Sequence, residues 1–280
     1  ERWRREKWCR GLGESRTKKY LTSTSRENLF ESCQNMLAYR VIARLDIKGE
    51  NVIKGIQYEG LRVVGVPERL AQKYSDDGAD EILFIDTVAS LYGRNQLEHI
   101  IEQTTEHCFI PITVAGGISS VGDCVAALRH GADRVAINTA AIRRPNLIRE
   151  IVGALGSQAL TGSIEAKRVN GGWEAYTDHG RIPSGRSCFS WAEEAARLGV
   201  GELLITSIDC DGARRGVEFE LLKQIDVDVP VIYSGGIRLK DVAEIAEYTD
   251  GMAIGASLHY GDCTISQVKD ELRKAGKEVR

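Results

Sequence analysis

The chain has 280 residues, of which 42% are hydrophobic and 28% charged, and Lys+Arg 37 against Asp+Glu 40 leave a formal net charge of −3. This balance describes a globular protein with a core and excludes a chain that is mainly disordered. It also gives no basic face for nucleic acid, and no apolar run is long enough to cross a bilayer, so neither partner is expected.

Residues 1–35 carry nine Lys/Arg and five Glu, a local charge of +4, which leaves about −7 for the rest. This stretch has no helical or strand period and no apolar signal-peptide core. A transit peptide would be basic and rich in Ser/Thr, but five Glu argue against one. The segment is therefore read as a disordered or non-native extension, with Met36 as the start of a single domain over 36–280. Seven Cys and five His are scattered without CxxC or HExxH spacing, which predicts reduced thiols, no metal site and a cytoplasmic location.

From Met36 onward, short β-branched runs alternate with helical periods. Strands are predicted at 39–46, 81–86, 111–115, 133–138, 159–165, 202–207, 229–234 and 250–255. Helices are predicted at 67–77, 95–107, 120–130, 145–155, 189–198, 217–225, 238–248 and 264–275. Pro67 and Pro145 stand where helices begin, a position that needs no N–H. Eight strand–helix units in about 245 residues predict a (β/α)₈ barrel, an α/β fold with a closed parallel sheet.

An internal repeat supports closure. RVIARLDIKG is echoed by LTGSIEAKR, so Asp46 aligns with Glu165, 119 residues on. DEILFID is echoed by GELLITSID, and PITVAGGI by PVIYSGGI. Two half-barrels account for this pattern. An open doubly wound sheet would usually show a GxGxxG after its first strand, and none is present.

In such a barrel the site lies at the C-terminal strand ends. Gly116-Gly117 and Gly235-Gly236 fall at two repeat-related ends, beside Asn138-Thr139 and Ala256-Ser257. Glycines let backbone N–H groups approach an anion closely, so two cradles predict a ligand with a phosphate at each end. Asp46 and Glu165 face each other across the mouth, an arrangement suited to paired general acid and base work. Pairing with Lys48, Lys54 or Lys167 is the structural alternative. At the opposite end, Arg40, Glu81, Arg134 and Glu202 begin four strands, forming either an ion-pair plug or a gate.

LDIKGENVIKG, DEILFID, TVAGGI, GADRVAINTAA, SIEAKR, TSIDCDGARRG and SGGIR, in this order, resemble the cyclase subunit of imidazole glycerol phosphate synthase from Met36 to Arg280. The resemblance implies a (β/α)₈ barrel without cofactor. Its substrate would be a bis-phosphorylated ribulosyl aminoimidazole carboxamide nucleotide. Ammonia would come from a glutaminase subunit docked at the barrel bottom. Products would be imidazole glycerol phosphate and an aminoimidazole carboxamide ribotide. By position, Asp46 and Glu165 match the catalytic carboxylates, and Lys54 the lysine of the first active-site loop. Gly117, Asn138 and Thr139 fall on one phosphate site; Asp211, Gly212, Gly236, Ala256 and Ser257 fall on or beside the other. Arg40, Glu81, Arg134 and Glu202 match the ammonia gate, with Arg134 replacing the usual Lys, which favours the gate over the plug.

Three departures stand out. Glu165 replaces Asp, moving its carboxyl by roughly 1 Å, a shift able to cost about 10²-fold in rate. Arg44 replaces Cys two residues before Asp46; strand alternation puts both on the inward face, where a guanidinium favours ionised carboxylate and crowds the ammonia path. Ala115 replaces a Gly of the usual Gly-Gly-Gly run, and the segment after Leu222 is short. RLDIKG and SIEAKR also resemble a branch that supplies ammonia for acetamidino-sugar formation in bacterial surface polysaccharides. A non-catalytic barrel that binds the glutaminase is a third expectation.

Overall fold

The computed structural model describes residues 38–89 and 97–280, and the expectation made for residues 1–35 lies outside them. The first strand, β1 (Arg40–Lys48), alternates cleanly. Val41, Ala43, Leu45 and Ile47 join the main apolar cluster outside the barrel wall. Ile42 joins a separate small cluster with Leu83, Leu204, Ile232 and Ala253, the apolar layer inside the barrel. The period of two thus builds both cores from one strand.

A hairpin follows, β2 (Asn51–Ile56) and β3 (Glu59–Gly65), then helix α1 (Pro67–Asp76) with Pro67 in its first turn. Next come β4 (Glu81–Asp86), α2 (Glu98–Thr105), β5 (Ile112–Ala115), α3 (Val121–Arg129), β6 (Arg134–Ile137), the short α4 (Thr139–Arg143) and α5 (Asn146–Leu155). The second half repeats the plan with β7 (Leu160–Val169), the hairpin β8 (Gly172–Thr177) and β9 (Ile182–Ser187), α6 (Cys188–Leu198) and β10 (Glu202–Ser207). It ends with α7 (Phe219–Leu222), β11 (Val231–Ser234), α8 (Val242–Tyr248), β12 (Gly251–Ile254), α9 (Ala256–His259) and α10 (Ile265–Lys274).

Strands β1, β4, β5, β6, β7, β10, β11 and β12 pair in parallel and in that order. The pairing of β12 with β1, Arg40 opposite Gly251, closes the barrel. All eight predicted strands form. The two hairpins, absent from the sequence-based elements, extend antiparallel from β1 and β7, the repeat-related strands. Helix α7 is shorter than the predicted 217–225, because after Leu222 the chain continues in tight i+3 turns towards Pro230. Among the described residues no helix is long and apolar enough to cross a membrane.

Candidate active site

The inward face of β1 carries, from bottom to top, Arg40, Ile42, Arg44 and Asp46. Below the apolar layer, Arg40 bonds Glu202 at 2.7 Å and Glu81 at 3.3 Å, while Arg134 Nη1 lies 3.1 Å from Glu81 and 3.6 Å from Glu202. Thr113 and Thr161 donate to the remaining oxygens of Glu81 and Glu202. The four charged residues expected at the strand starts therefore form one closed ring, alternating in sign. Burial pushes the Glu81 carboxyl above its ordinary pKa, against the opposing bond from Thr113.

Above the apolar layer, Arg44 is 1% exposed. Its Nε donates to Asp46 Oδ1 at 2.8 Å, and its Nη1 donates to Ser234 at 3.0 Å and Asp211 at 3.3 Å. Lys54, on β2, donates to Asp46 Oδ2 at 2.7 Å and to both oxygens of Asp211 at 3.0 and 2.8 Å. Two cations and two carboxylates thus make a buried, charge-balanced cluster. Burial opposes ionisation of Asp46, but Arg44 and then Lys54 outweigh it and hold the carboxyl well below the usual range. The expected Arg44 effect on Asp46 is realised, and Lys54 adds to it.

Glu165, at the repeat-related position on β7, has a different setting. Its Oε2 accepts from Asn138 Nδ2 and from the Gly180 N–H, each at 2.9 Å. Burial pushes its carboxyl up to about 7, with the Gly180 bond opposing the shift. Asp46 is therefore a fixed anion, while Glu165 exchanges a proton near neutrality. Two carboxyls whose environments push them apart are the arrangement from which acid and base roles are assigned. None of Lys48, Lys54 and Lys167 forms an ion pair with Glu165; Lys54 serves Asp46 instead.

Glu165 lines a cavity of about 400 Å³ together with Gly116, Gly117, Asn138, Thr139 and Arg143. Gly116 and Gly117 have φ of 102° and 69°, and a Cβ on Gly116 would run into the Asp86 backbone. Asn138 Oδ1 is buried without a hydrogen-bond partner, and Thr139 Oγ1 accepts from the Asp178 N–H. The repeat-related cradle, formed by Asp211, Gly212, Gly235, Gly236, Ala256 and Ser257, encloses about 10 Å³, room for one small group. Gly212 and Gly236 take φ of 66° and 71° there. The glycines and their neighbours expected at the mouth therefore form two cradles of unequal size, with Glu165 in the larger, while Asp46 and Lys54 lie in the buried ion cluster that Asp211 joins to the smaller.

The sequence reasoning missed Tyr58 and His179, which stack over the mouth from the tips of the two hairpins with ring centroids 4.0 Å apart. The sequence does signal the turn from β7 into β8 at Asn170-Gly171, with φ of 50° and 82°, a dipeptide that favours a two-residue hairpin turn, but not the tip that carries His179. Arg143 was also missed; it lines the larger cavity and bonds Asp178 at 2.6 Å.

The chain matches the family described as Histidine biosynthesis protein over residues 40–264. It is 56% identical over 201 residues to the imidazole glycerol phosphate synthase subunit HisF of Legionella pneumophila, covering 71% of this chain and 95% of that protein. It is 44% identical over 251 residues to the protein of the same name from Bacillus cereus strain Q1, covering 88% of this chain and all of that protein. The barrel closed in two repeated halves, with its site at the strand ends, is thus that of a member of the histidine biosynthesis protein family.

Proposed function

We propose that this chain is the ammonia-using cyclase subunit of an imidazole glycerol phosphate synthase. Its substrate is a bis-phosphorylated ribulosyl aminoimidazole carboxamide nucleotide, and its products are imidazole glycerol phosphate and an aminoimidazole carboxamide ribotide. The observation that carries this is the pair of repeat-related carboxyls, Asp46 held ionised in the cluster with Arg44, Lys54 and Asp211, and Glu165 raised to about 7 in the larger glycine cradle. The relatives, named as subunits of that synthase, support the same reading.

The residues divide the work. The cradle at Gly117, Asn138 and Thr139 holds one phosphate, and the cradle at Gly212, Gly236, Ala256 and Ser257, beside Asp211, holds the other through backbone amides. Glu165 gives and takes a proton during ring closure and bond cleavage. Asp46, held ionised by Arg44 and Lys54, stabilises the positive charge that develops on the substrate. Ammonia from a glutaminase docked at the barrel bottom enters through Arg40, Glu81, Arg134 and Glu202. Arg134, the more exposed arginine of that ring, opens it.

The test is purified protein with the nucleotide and excess ammonium salt, followed by loss of substrate absorbance. Turnover that Asp46→Asn abolishes is expected; no turnover, or turnover that survives Asp46→Asn, defeats the assignment.

A second reading rests on one observation, the two hydrogen bonds that Arg44 donates, one to Asp46 and one to Asp211. With Asp46 locked, the barrel would relay ammonia to a separate amidotransferase that converts an acetamido sugar to an acetamidino sugar. In that case the same assay shows no cyclisation, and Arg44→Cys does not create it.

A further inference from the structure

Among the titratable side chains that line the larger cavity and have no part in the scheme above, His179, at the tip joining β8 and β9, is the one that stands against Glu165. Its ring stacks on Tyr58 with an interplanar angle of 21°, and its Nδ1 lies 3.7 Å from Glu165 Oε1. The other oxygen of Glu165 is held by Asn138 and Gly180, so Oε1 is the oxygen turned to the imidazole. His179 contacts Glu165 on β7 and the Tyr58 ring, and it feels the charges of Asp46 and Arg44 on β1, Asp211 after β10 and Arg181 on its own hairpin. Both hairpin tips hold left-handed backbone, φ 66° at Tyr58 and 56° at His179. The stack alone explains an aromatic ring at 179; it does not explain a ring that turns a nitrogen to the carboxyl.

We propose that His179 is the proton partner of Glu165, a positioning residue whose Nδ1 closes onto Oε1 when a ligand fills the cavity. In the transfer the Glu165 O–H bond breaks and an N–H bond forms at His179 Nδ1. The result is an imidazolium beside a carboxylate, and the reverse step restores both neutral groups. Separations of this size in an empty site commonly tighten to a hydrogen bond in the bound complex. Burial pushes His179 down to about 4, so its ring is neutral at pH 7 with a nitrogen lone pair to offer. Asp46 and Asp211 favour the imidazolium while burial, Arg44 and Arg181 oppose it, so the transferred state is short-lived and returns its proton to Glu165.

The proposal deepens the cyclase reading, and its first test does not depend on that reading. In the full chain with 15N-labelled histidine, titrated with inorganic phosphate present, the His179 Nδ1 resonance is expected to show a step with its midpoint near 7, that of Glu165. In Glu165→Gln that step disappears and only the transition near 4 remains. Absence of the step near 7 from the unsubstituted protein, or its persistence in Glu165→Gln, overturns the proposal.

The second test is ammonium-driven turnover. His179→Phe keeps the stack on Tyr58 but removes Nδ1; it is expected to lower kcat about 10²-fold, change KM by less than about threefold and flatten the limb of the pH profile near 7. His179→Asn, which restores a polar atom near Nδ1 but has no basic nitrogen, is expected to keep most of the loss; full recovery in His179→Asn would reduce the role to a hydrogen bond and overturn the proposal. An unchanged kcat and pH profile in His179→Phe overturns the proposal. Should the protein as it stands turn over no substrate, the cyclase reading fails while the titration still decides the dyad.

Discussion

Arg44 Nε donates to Asp46 Oδ1 at 2.8 Å from two residues back on the same strand. The alternation of β1 puts both side chains inside the barrel, and the same guanidinium continues to Asp211 and Ser234. One side chain therefore ties the first strand to the loop after β10 and to β11, across the seam where the barrel closes. Lys54 completes the cluster from β2, so the first hairpin is anchored to the wall by charge as well as by its ladder.

Removing Arg44 leaves two buried carboxylates facing one ammonium. Arg44→Ala is expected to destabilise the barrel by about 3–5 kcal/mol at pH 7, the usual result of breaking a buried ion cluster from one side. Urea unfolding at fixed pH reads this directly. Because Arg44 helps to hold Asp46 below its ordinary pKa, Asp46 contributes stability that is present above about pH 4 and lost as the pH falls through its lowered value. In Arg44→Ala the folded pKa rises, so that acid loss is smaller and is complete at a higher pH. An unfolding free energy within about 1 kcal/mol of the unsubstituted protein would contradict the cluster's structural role.

Glu165 has the opposite sign. Its carboxyl is raised from 4.5 to about 7, so the folded protein keeps a proton that the unfolded chain has already lost. The stability gained this way is complete below about pH 4 and disappears as the pH rises through 7. The size of the shift corresponds to about 3 kcal/mol. Unfolding free energies measured at pH 5 and pH 8 should therefore differ more for the unsubstituted protein than for Glu165→Gln, which has no proton to lose. Equal slopes in the two proteins would show that Glu165 ionises normally.

The reach of the sequence differs between these two carboxyls. Arg44 beside Asp46 follows from strand alternation alone, and the ring of Arg40, Glu81, Arg134 and Glu202 follows from four residues at strand starts in a closed register. The partners of Glu165 are another matter. Asn138 lies past the end of β6, and Gly180 and His179 belong to a hairpin that bends back over the mouth. Their approach depends on left-handed turns at Asn170, Asp178 and His179, which the pattern of apolar residues does not encode. The unequal cradles are hidden for the same reason: both repeats carry Gly-Gly, and only the packing around them separates about 400 Å³ from about 10 Å³.

The ring at the barrel bottom separates a gate from a plug. Arg40 by itself still reaches both Glu81 and Glu202, so Arg134→Ala leaves the ring half closed. Arg134→Ala is expected to change glutamine-driven turnover several-fold, on the order of 1 kcal/mol, while ammonium-driven turnover stays as it was. The comparison is made on one protein preparation with the glutaminase present. Equal changes in both rates would assign the ring to structure alone.

Two glycines give a closing contrast between space and strain. Gly212 sits in the smaller cradle at φ 66°, and a Cβ there would overlap the Gly55 carbonyl on β2, one residue after Lys54. Gly212→Ala therefore strains the backbone and pushes the first hairpin outward, with an expected loss of about 2–4 kcal/mol. It is also expected to draw Lys54 away from Asp46 and Asp211, so if this cradle is the proposed phosphate site, binding of inorganic phosphate weakens together with stability. Gly153 lies exposed in α5 with nothing within 4 Å of a Cβ. Gly153→Ala is expected to raise stability by about 0.5–1 kcal/mol through helix propensity, leaving phosphate binding unchanged. Thermal unfolding with and without phosphate measures both effects; a Gly212→Ala protein that melts and binds phosphate as before would show that the hairpin yields without strain.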